Sequence, residues 1–186
     1  MPKCIRLVAT PIICALATLS LLNARLAMAA SGAEIDREVD AALRQLYKSE
    51  PGAQELAAKA KAILVFPSVV KAGFLVGAQF DEGALRKAGK TVGYYRIVAA
   101  SYGLQAGVQS FGYAMLLMTD AAVRYLETSA GWEVGVGPSI VIVDKGKAKA
   151  LTTTTAQSDV YAFIFGQQGL MAGMGVQGSK ITKIAR

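Results

Sequence analysis

The chain has 186 residues, a length that suits one domain with its own hydrophobic core. Histidine is absent and the two cysteines, Cys4 and Cys14, lie near the start, so the rest of the chain has neither imidazole nor thiolate ligands or nucleophiles. No phosphate loop or converging set of carboxylates is apparent. We therefore expect a protein that is not an enzyme and that uses neither a cofactor nor a metal.

The N-terminal segment has the three parts of a secretory signal. Residues 1–6 are short and basic, residues 7–22 are almost wholly apolar, and Ala27-Met28-Ala29 has the small-x-small pattern of a cleavage site. We predict a signal peptide at residues 1–29, a single domain at residues 30–186, and an exported, periplasmic protein peripheral to a membrane. An uncleaved anchor helix is the alternative, because the apolar segment approaches the roughly 20 residues that span a bilayer.

Helical patterns open the predicted domain. Ile35, Val39 and Leu46 recur at helical spacing, with Ser31 as a candidate N-cap, and residues 53–61 form a second, alanine-rich helical segment. After these segments the spacing of apolar residues changes from helical to strand-like. A short strand is predicted at residues 63–66, stopped by a proline, and another at 74–80, followed by a turn at 81–83 whose two adjacent carboxylates are expected to be solvated.

The remainder is mostly β structure, interrupted by one short helix at residues 120–128. Residues 166–169 predict a hairpin turn between the last two strands. The fold class is therefore α+β, with N-terminal helices followed by a curved, mainly antiparallel β-sheet or half-barrel with one short inserted helix. Glycines inside the strands indicate curvature. We expect the following aromatic residues to lie in the core or in strand pairs: Phe66, Phe74, Tyr94, Tyr95, Tyr102 and Trp132.

Four stretches resemble, in order, the SYLF domain, a lipid-binding module found in bacteria and eukaryotes. They are KAILVFPSVVKAGFLVG at 61–77, TVGYYRIVAASYGLQAGVQSFGY at 91–113, MTDAAVRYLETSAGWEVGVG at 118–137 and FIFGQQGLMAGMGVQGSKITKI at 163–184. The resemblance extends over roughly residues 34–186. It implies binding of phosphoinositide or acidic phospholipid headgroups at a membrane surface.

In several eukaryotic members of that family the lipid contact is assigned to an amphipathic helix at the start of the domain together with basic residues. Here that helix begins with acidic residues, so binding by charge is expected from other positions. The candidate lipid-binding residues are Lys59, Lys61, Lys71, Arg86, Lys87, Lys90, Lys180 and Lys183.

Two other interpretations stay open. The same basic residues are consistent with scattered, solvated charges, and the sheet surface is consistent with a structural or interaction protein of the cell envelope that binds another protein. Three of the 20 basic residues and none of the 13 acidic ones lie in the predicted signal peptide. Since the remaining domain is only modestly basic, no nucleic-acid partner is expected. The oligomeric state is left open.

Overall fold

The computed structural model describes residues 30–128, 132–133, 137–143 and 158–186, with the backbone alone at 103–105, 132–133 and 171–178. Ser31–Arg186 form one compact unit. In these parts of the chain the helices are α1 (Gly32–Ser49), α2 (Pro51–Ala57) and α3 (Asp120–Thr128). The strands are β1 (Ala62–Lys87), β2 (Lys90–Leu117), β3 (Trp132–Glu133), β4 (Ile140–Val143) and β5 (Val160–Ile184).

The described strands form one curled sheet in the order β1-β2-β5-β3, with β4 also paired to β5. All neighbours are antiparallel except β4 and β5, which run parallel. The predicted α+β class, with helices preceding a curved, mainly antiparallel sheet and one short helix inserted into it, is confirmed.

Three strands are too long to run straight through a domain of this size. β1, β2 and β5 contain 26, 28 and 25 residues, and 26 extended residues would span about 85 Å. A compact domain of this length has a radius of gyration of only about 15 Å. The strands must therefore fold back, and the three do so together because they stay paired along nearly their whole length.

Contacts between distant parts of the same strand show where β1 doubles over. A Cβ built on Gly83 would lie 1.9 Å from the carbonyl oxygen of Val65, so the two backbones are in contact although 18 positions separate them. The backbone N–H of Ser68 donates to Oδ2 of Asp81 at 2.7 Å. Each long strand consequently has two limbs that face each other.

We use the name "bend" for residues 70–80 of β1, 98–110 of β2 and 166–180 of β5, which connect the limbs. Leu75 marks its apex, with φ at 64°, and the β1–β2 register shifts between Phe74 and Val76. A Cβ on Gly73 would lie 2.5 Å from Cα of Gly77. Glycine on the inner side of β1 therefore permits the tight return.

The main core fills the space between the two limbs at their base, away from the bend. Its members come from all three long strands and from α3; they include Leu64, Phe66, Leu85, Tyr95, Ile97, Met115, Leu117, Leu126, Ala162 and Ile181. Burying each large apolar side chain contributes about 1.5–3 kcal/mol. The base is thus the hydrophobically stabilised part of the fold.

Helix α1 packs against the outside of β1 through its apolar face, Ile35, Val39, Ala42 and Leu46. Ser31 caps it as predicted, since Oγ of Ser31 accepts from the N–H of Glu34. Helix α2 ends at Ala57, earlier than predicted, because Lys61 already donates its backbone N–H to the carbonyl of Leu117 in the first β1–β2 pairing. None of the helices in the described residues is long and apolar enough to cross a membrane.

Three sequence predictions about strand ends are wrong, for one reason. Pro67 does not end a strand but lies in a bulge between Phe66 and Val69. Residues 81–83 are not a turn, since β1 continues to a tight turn at Ala88-Gly89, and residues 166–169 form an irregularity within β5. Turn-forming residues at these places serve bulges and bends of continuous strands, which local composition does not distinguish from turns.

The close approach of the limbs predicts a large difference between two glycine substitutions. Gly83→Ala places a methyl group against the backbone of Val65, which no rotamer change relieves, and should lower the free energy of unfolding by about 3 kcal/mol or more. In Gly89→Ala the added methyl group has no neighbour, so only the positive φ is unfavourable, and the free energy of unfolding should fall by about 1–2 kcal/mol. Urea denaturation of both variants measures this; equal losses would contradict the contact between the limbs.

Candidate functional site

The outward face of the bend is apolar and exposed, the reverse of an ordinary sheet surface. Along β1, alternate residues from Val70 to Phe80 point outwards, and all of them are apolar. Phe74 at the apex is 75% exposed. A strand whose outward positions carry only valine, phenylalanine and alanine is unusual for a domain surface.

The apolar face continues across the three long strands. Register places Ala72 beside Val108 and Val108 beside Leu170, so these side chains share the outer face. Tyr102 and Leu170 are 75% and 88% exposed. The exposed large side chains of this surface, which we call the "apolar cap", are Val70, Phe74, Leu75, Val76, Phe80, Val98, Tyr102, Val108 and Leu170.

The segments that carry the apolar cap contain charge of one sign. Residues 70–80, 98–110 and 166–180 contain no acidic residue and two lysines, Lys71 and Lys180. Lys180 is exposed and lies next to Val98 in the register, with Glu133 of β3 as its neighbour on the other side. An apolar, projecting surface with positive charge at its border is therefore present.

The inner side of the bend is polar. It forms a pocket of about 260 Å³ between the limbs. Lys71 pairs in register with Gln109 on one limb, while Gln79 and Ser179 flank Ala99 on the other. We call this set the "polar belt": Lys71, Gln79, Gln109, Gln167 and Ser179. Apolar residues of the core, including Ile97 and Phe111, form the pocket floor.

Asp81 fastens the two limbs of β1 just below the polar belt. Its carboxylate accepts from the N–H of Ser68 at 2.7 Å and from the N–H of Glu82 at 2.9 Å. Burial raises the pKa of Asp81 to about 7, and the nearby charges of Glu38 and Glu82 act in the same direction, against the lowering effect of the two hydrogen bonds. The expectation of a solvated turn carboxylate at this position is wrong.

Glu82 ties the end of the chain to the sheet. Burial opposes its ionisation, but hydrogen bonds and positive charge from Arg186 and Arg96 outweigh this effect and lower the pKa of Glu82. The guanidinium of Arg96 also lies 5.4 Å from the ring centroid of Phe80. Arg96 and Arg186 thus serve structural contacts at the edge of the bend.

Two of the predicted lipid-binding residues are engaged in ion pairs. Arg86 donates to Oδ1 of Asp40 at 2.7 Å and to the carbonyl of Asp36 at 3.1 Å, and Lys87 donates to Glu127 at 2.8 Å. These contacts attach α1 and α3 to the sheet. In the part of the chain that the structure describes, Arg86 and Lys87 therefore position these helices.

The other candidates divide between the base and the bend. Lys59, Lys61 and Lys90 are exposed near the beginning of β1 and the β1–β2 turn, and Lys183 is exposed close to Gly93. About 30 Å of extended strand separates Lys61 from Lys71. The structure therefore brings only Lys71 and Lys180 to the bend.

A larger depression of about 490 Å³ lies at the base, under α1 and α2, and includes Lys61 and Arg86. Its central guanidinium is already neutralised by the carboxylates of α1, with Arg86 only 12% exposed. This depression therefore offers little free charge for a ligand. No group of three or more potential metal-binding side chains occurs in the described part of the chain.

Sequence reasoning missed the apolar cap. Phe66 and Tyr95 are buried as expected. Phe74 and Tyr102 lie in strand pairs, also as expected, but their side chains are exposed. The sequence did contain a signal, the alternation of Val70, Ala72 and Phe74 with Lys71 and Gly73, which places the apolar and the other residues on opposite faces of the strand. Trp132 lies in β3, where the structure describes the backbone alone.

Comparison with protein families gives one match. A family model described as "Ysc84: Las17-binding protein actin regulator" matches residues 98–185. The matched stretch begins where β2 enters the bend and includes all of β5. Among curated proteins, no match to the chain is found.

The elevated pKa of Asp81 predicts a pH-dependent stability. The unfolded chain loses this proton near pH 4, whereas the folded one keeps it until about pH 7, so the unfolding free energy should fall as pH rises from about 5 to 7. Asp81→Asn keeps an oxygen that accepts from Ser68 and should flatten this slope. Asp120→Asn, at an exposed position, is the control and should keep the pH dependence of the wild type. Urea denaturation at several pH values between about 5 and 7 measures the unfolding free energy of each variant. A pH dependence in Asp81→Asn equal to that of the wild type would contradict the assignment.

Proposed function

Because the chain carries a Ysc84 domain of the SYLF family, which is associated with lipids and with actin regulation, we propose that it is a non-enzymatic protein that binds membranes containing acidic phospholipids. The proposal includes the finer expectation of phosphoinositide or other acidic headgroups as ligands. One observation carries it: the apolar cap, spread over three adjacent strands and free of acidic residues in the segments that form it.

The apolar cap supplies the attraction to the membrane. Its side chains are exposed in the isolated protein, and transferring a large apolar side chain out of water is worth about 1.5–3 kcal/mol when burial is complete. Partial insertion of Phe74, Val76 and Leu170 gives a reversible contact, because the cap projects at the end of the bend while the core lies at the base. The rest of the domain stays outside the bilayer.

Positive charge directs the cap towards anionic lipids. Each basic residue near an anionic surface contributes about 1 kcal/mol. Lys180 borders the cap, and Glu133, its register neighbour, reduces its net effect. Electrostatics thus adds a preference among membranes, and the apolar contact supplies most of the affinity.

Attachment through the first helix is disfavoured by its packing. The apolar face of α1 is buried against β1, with Val39 and Leu46 fully inaccessible. Its acidic residues are also engaged: Asp36 accepts from Thr91 and Tyr94, and Asp40 accepts from Arg86. Releasing α1 to bind lipid would expose part of the core.

The predicted signal peptide locates this activity. With residues 1–29 as a secretory signal, the domain acts in the periplasm, peripheral to a membrane. An envelope protein that binds the same sheet surface is the competing proposal, and the vesicle experiments below decide between them.

A single aspartate at the cap should abolish vesicle binding. In Val76→Asp a carboxylate replaces an exposed apolar side chain at the apex, so it opposes both insertion and the approach to anionic lipid. Val92→Asp makes the same change at an exposed valine of β2 outside the bend and should bind as the wild type. Co-sedimentation of residues 31–186, which form one compact unit, with anionic and zwitterionic vesicles at low salt measures both.

Two results would contradict the proposal. Residues 31–186 could fail to sediment with anionic vesicles at low salt, in which case the cap does not bind lipid. Equal binding by Val76→Asp and Val92→Asp would show that the contact lies elsewhere. Retention of an envelope protein without lipid, together with absent vesicle binding, would favour the competing proposal.

Lys180 at the cap and Lys61 at the base should contribute differently to the binding of anionic vesicles. Lys180→Gln at the cap should weaken binding to anionic vesicles by up to about fivefold, because one charge contributes about 1 kcal/mol. Lys61→Gln, at the base, should change it by less than about twofold. Titration with vesicles at low and high salt gives both values; a larger effect for Lys61 would move the contact surface to the base.

A further inference from the structure

We propose that the pocket on the inner side of the bend binds a phosphate joined to a polyol, the chemistry of a glycerophospholipid headgroup. The proposal rests on the membrane function above and names the group that the domain recognises. It is carried by the polar belt, which is the reverse of what the interior of a small sheet normally holds.

The charge for the phosphate comes from Lys71. It lies on the inner face of β1 beside Gln109, whose amide adds donors on the same limb. A charged donor binds a phosphate oxygen more strongly than a neutral one does. Phosphate is therefore expected on the limb that carries Lys71.

The opposite limb offers the ligand a buried acceptor. Gln79 is only 7% exposed, and its Oε1, which is buried, accepts no hydrogen bond within the described part of the chain. Leaving such an acceptor unpaired costs about 1–3 kcal/mol. A phosphodiester has no proton to donate, so the donor that satisfies Gln79 is a hydroxyl group of the polyol.

Space for the polyol lies next to Gln79. The residue between Gln79 and Ser179 in the register is Ala99, whose small side chain leaves the wall open, and the hydroxyl of Ser179 can donate or accept. The volume of about 260 Å³ is slightly below the roughly 300 Å³ where pockets for drug-sized ligands begin. The pocket therefore suits a headgroup without its acyl chains.

The depth of the polar belt agrees with a lipid source. Lys71 and Gln79 are each four residues from Leu75 at the apex, about 13 Å along the strand. If the apolar cap enters the acyl boundary by about 5–10 Å, the belt lies at the level of the headgroups. The outward and inward faces of the bend would then contact two layers of the same membrane.

Soluble probes test the pocket without a membrane. Glycerophosphoglycerol, the deacylated form of phosphatidylglycerol, is titrated into ¹⁵N-labelled residues 31–186 and followed by amide chemical shifts. We expect saturable shifts around Gln79 and Ser179. Inorganic phosphate lacks the polyol whose hydroxyl donates to Gln79, and glycerol lacks the charged group that Lys71 binds. Each should bind at least about tenfold more weakly, the loss of roughly one hydrogen bond.

Matched variants separate the belt from the outer surface. Gln79→Met keeps the side-chain length and removes the unpaired acceptor, so it should weaken the binding of glycerophosphoglycerol about tenfold. Lys71→Met should do the same through the phosphate. Gln168→Met, at an exposed glutamine next to Gln167, is the control and should bind normally. The amide spectrum of each variant reports whether it is folded.

The outcomes distinguish this inference from the membrane proposal. Val76→Asp should lose vesicle binding and keep probe binding, whereas Gln79→Met should weaken both. Absence of saturable probe binding overturns the pocket inference even if vesicles bind through the cap. Equal affinity for inorganic phosphate and glycerophosphoglycerol also overturns it, since the site would then recognise free phosphate.

Discussion

The doubling over of three paired strands is the constraint on which the rest of this structure depends. Strands of 25 to 28 residues cannot remain flat in a domain of this size, and pairing prevents any one of them from bending alone. Gly83 allows the limbs to touch, and the hydrogen bond from Ser68 to Asp81 fixes the point of contact. The core, the pocket and the exposed apex all follow from this single fold in the sheet.

Because the sheet folds over, the alternation of apolar and polar residues along a strand has the opposite meaning in the bend from its meaning at the base. In a strand with one buried face, apolar residues point to the core and polar residues to water. At the base this holds, with Leu64 and Phe66 inside. Within the bend, the inner face carries small residues such as Gly73 and Ala99 together with the polar belt, and large apolar side chains such as Phe74 occupy the outside. An exposed apolar surface of this kind indicates a binding partner.

Charge has two separate uses in this chain. At the base, Arg86 and Lys87 are paired with carboxylates of α1 and α3 and hold these helices on the sheet. At the bend, Lys71 and Lys180 lie in segments without acidic residues. A count of basic residues therefore overstates the charge available to a ligand, because part of it stabilises the fold.

The sequence by itself determined that helices precede the sheet, the Ser31 cap of α1 and the α+β class, since these follow from local periodicity at Ser31, Ile35 and Leu46 and from the change from helical to strand periodicity after residue 61. It also supplied the resemblance to the SYLF domain. Only the tertiary structure decided that Phe74 and Tyr102 are exposed, that Asp81 accepts a hydrogen bond from the distant Ser68 and that Lys71 and Gln79 line the same pocket. These features depend on contacts between positions far apart along paired strands, and local pattern records which residues alternate but not which face is left open when a sheet folds over.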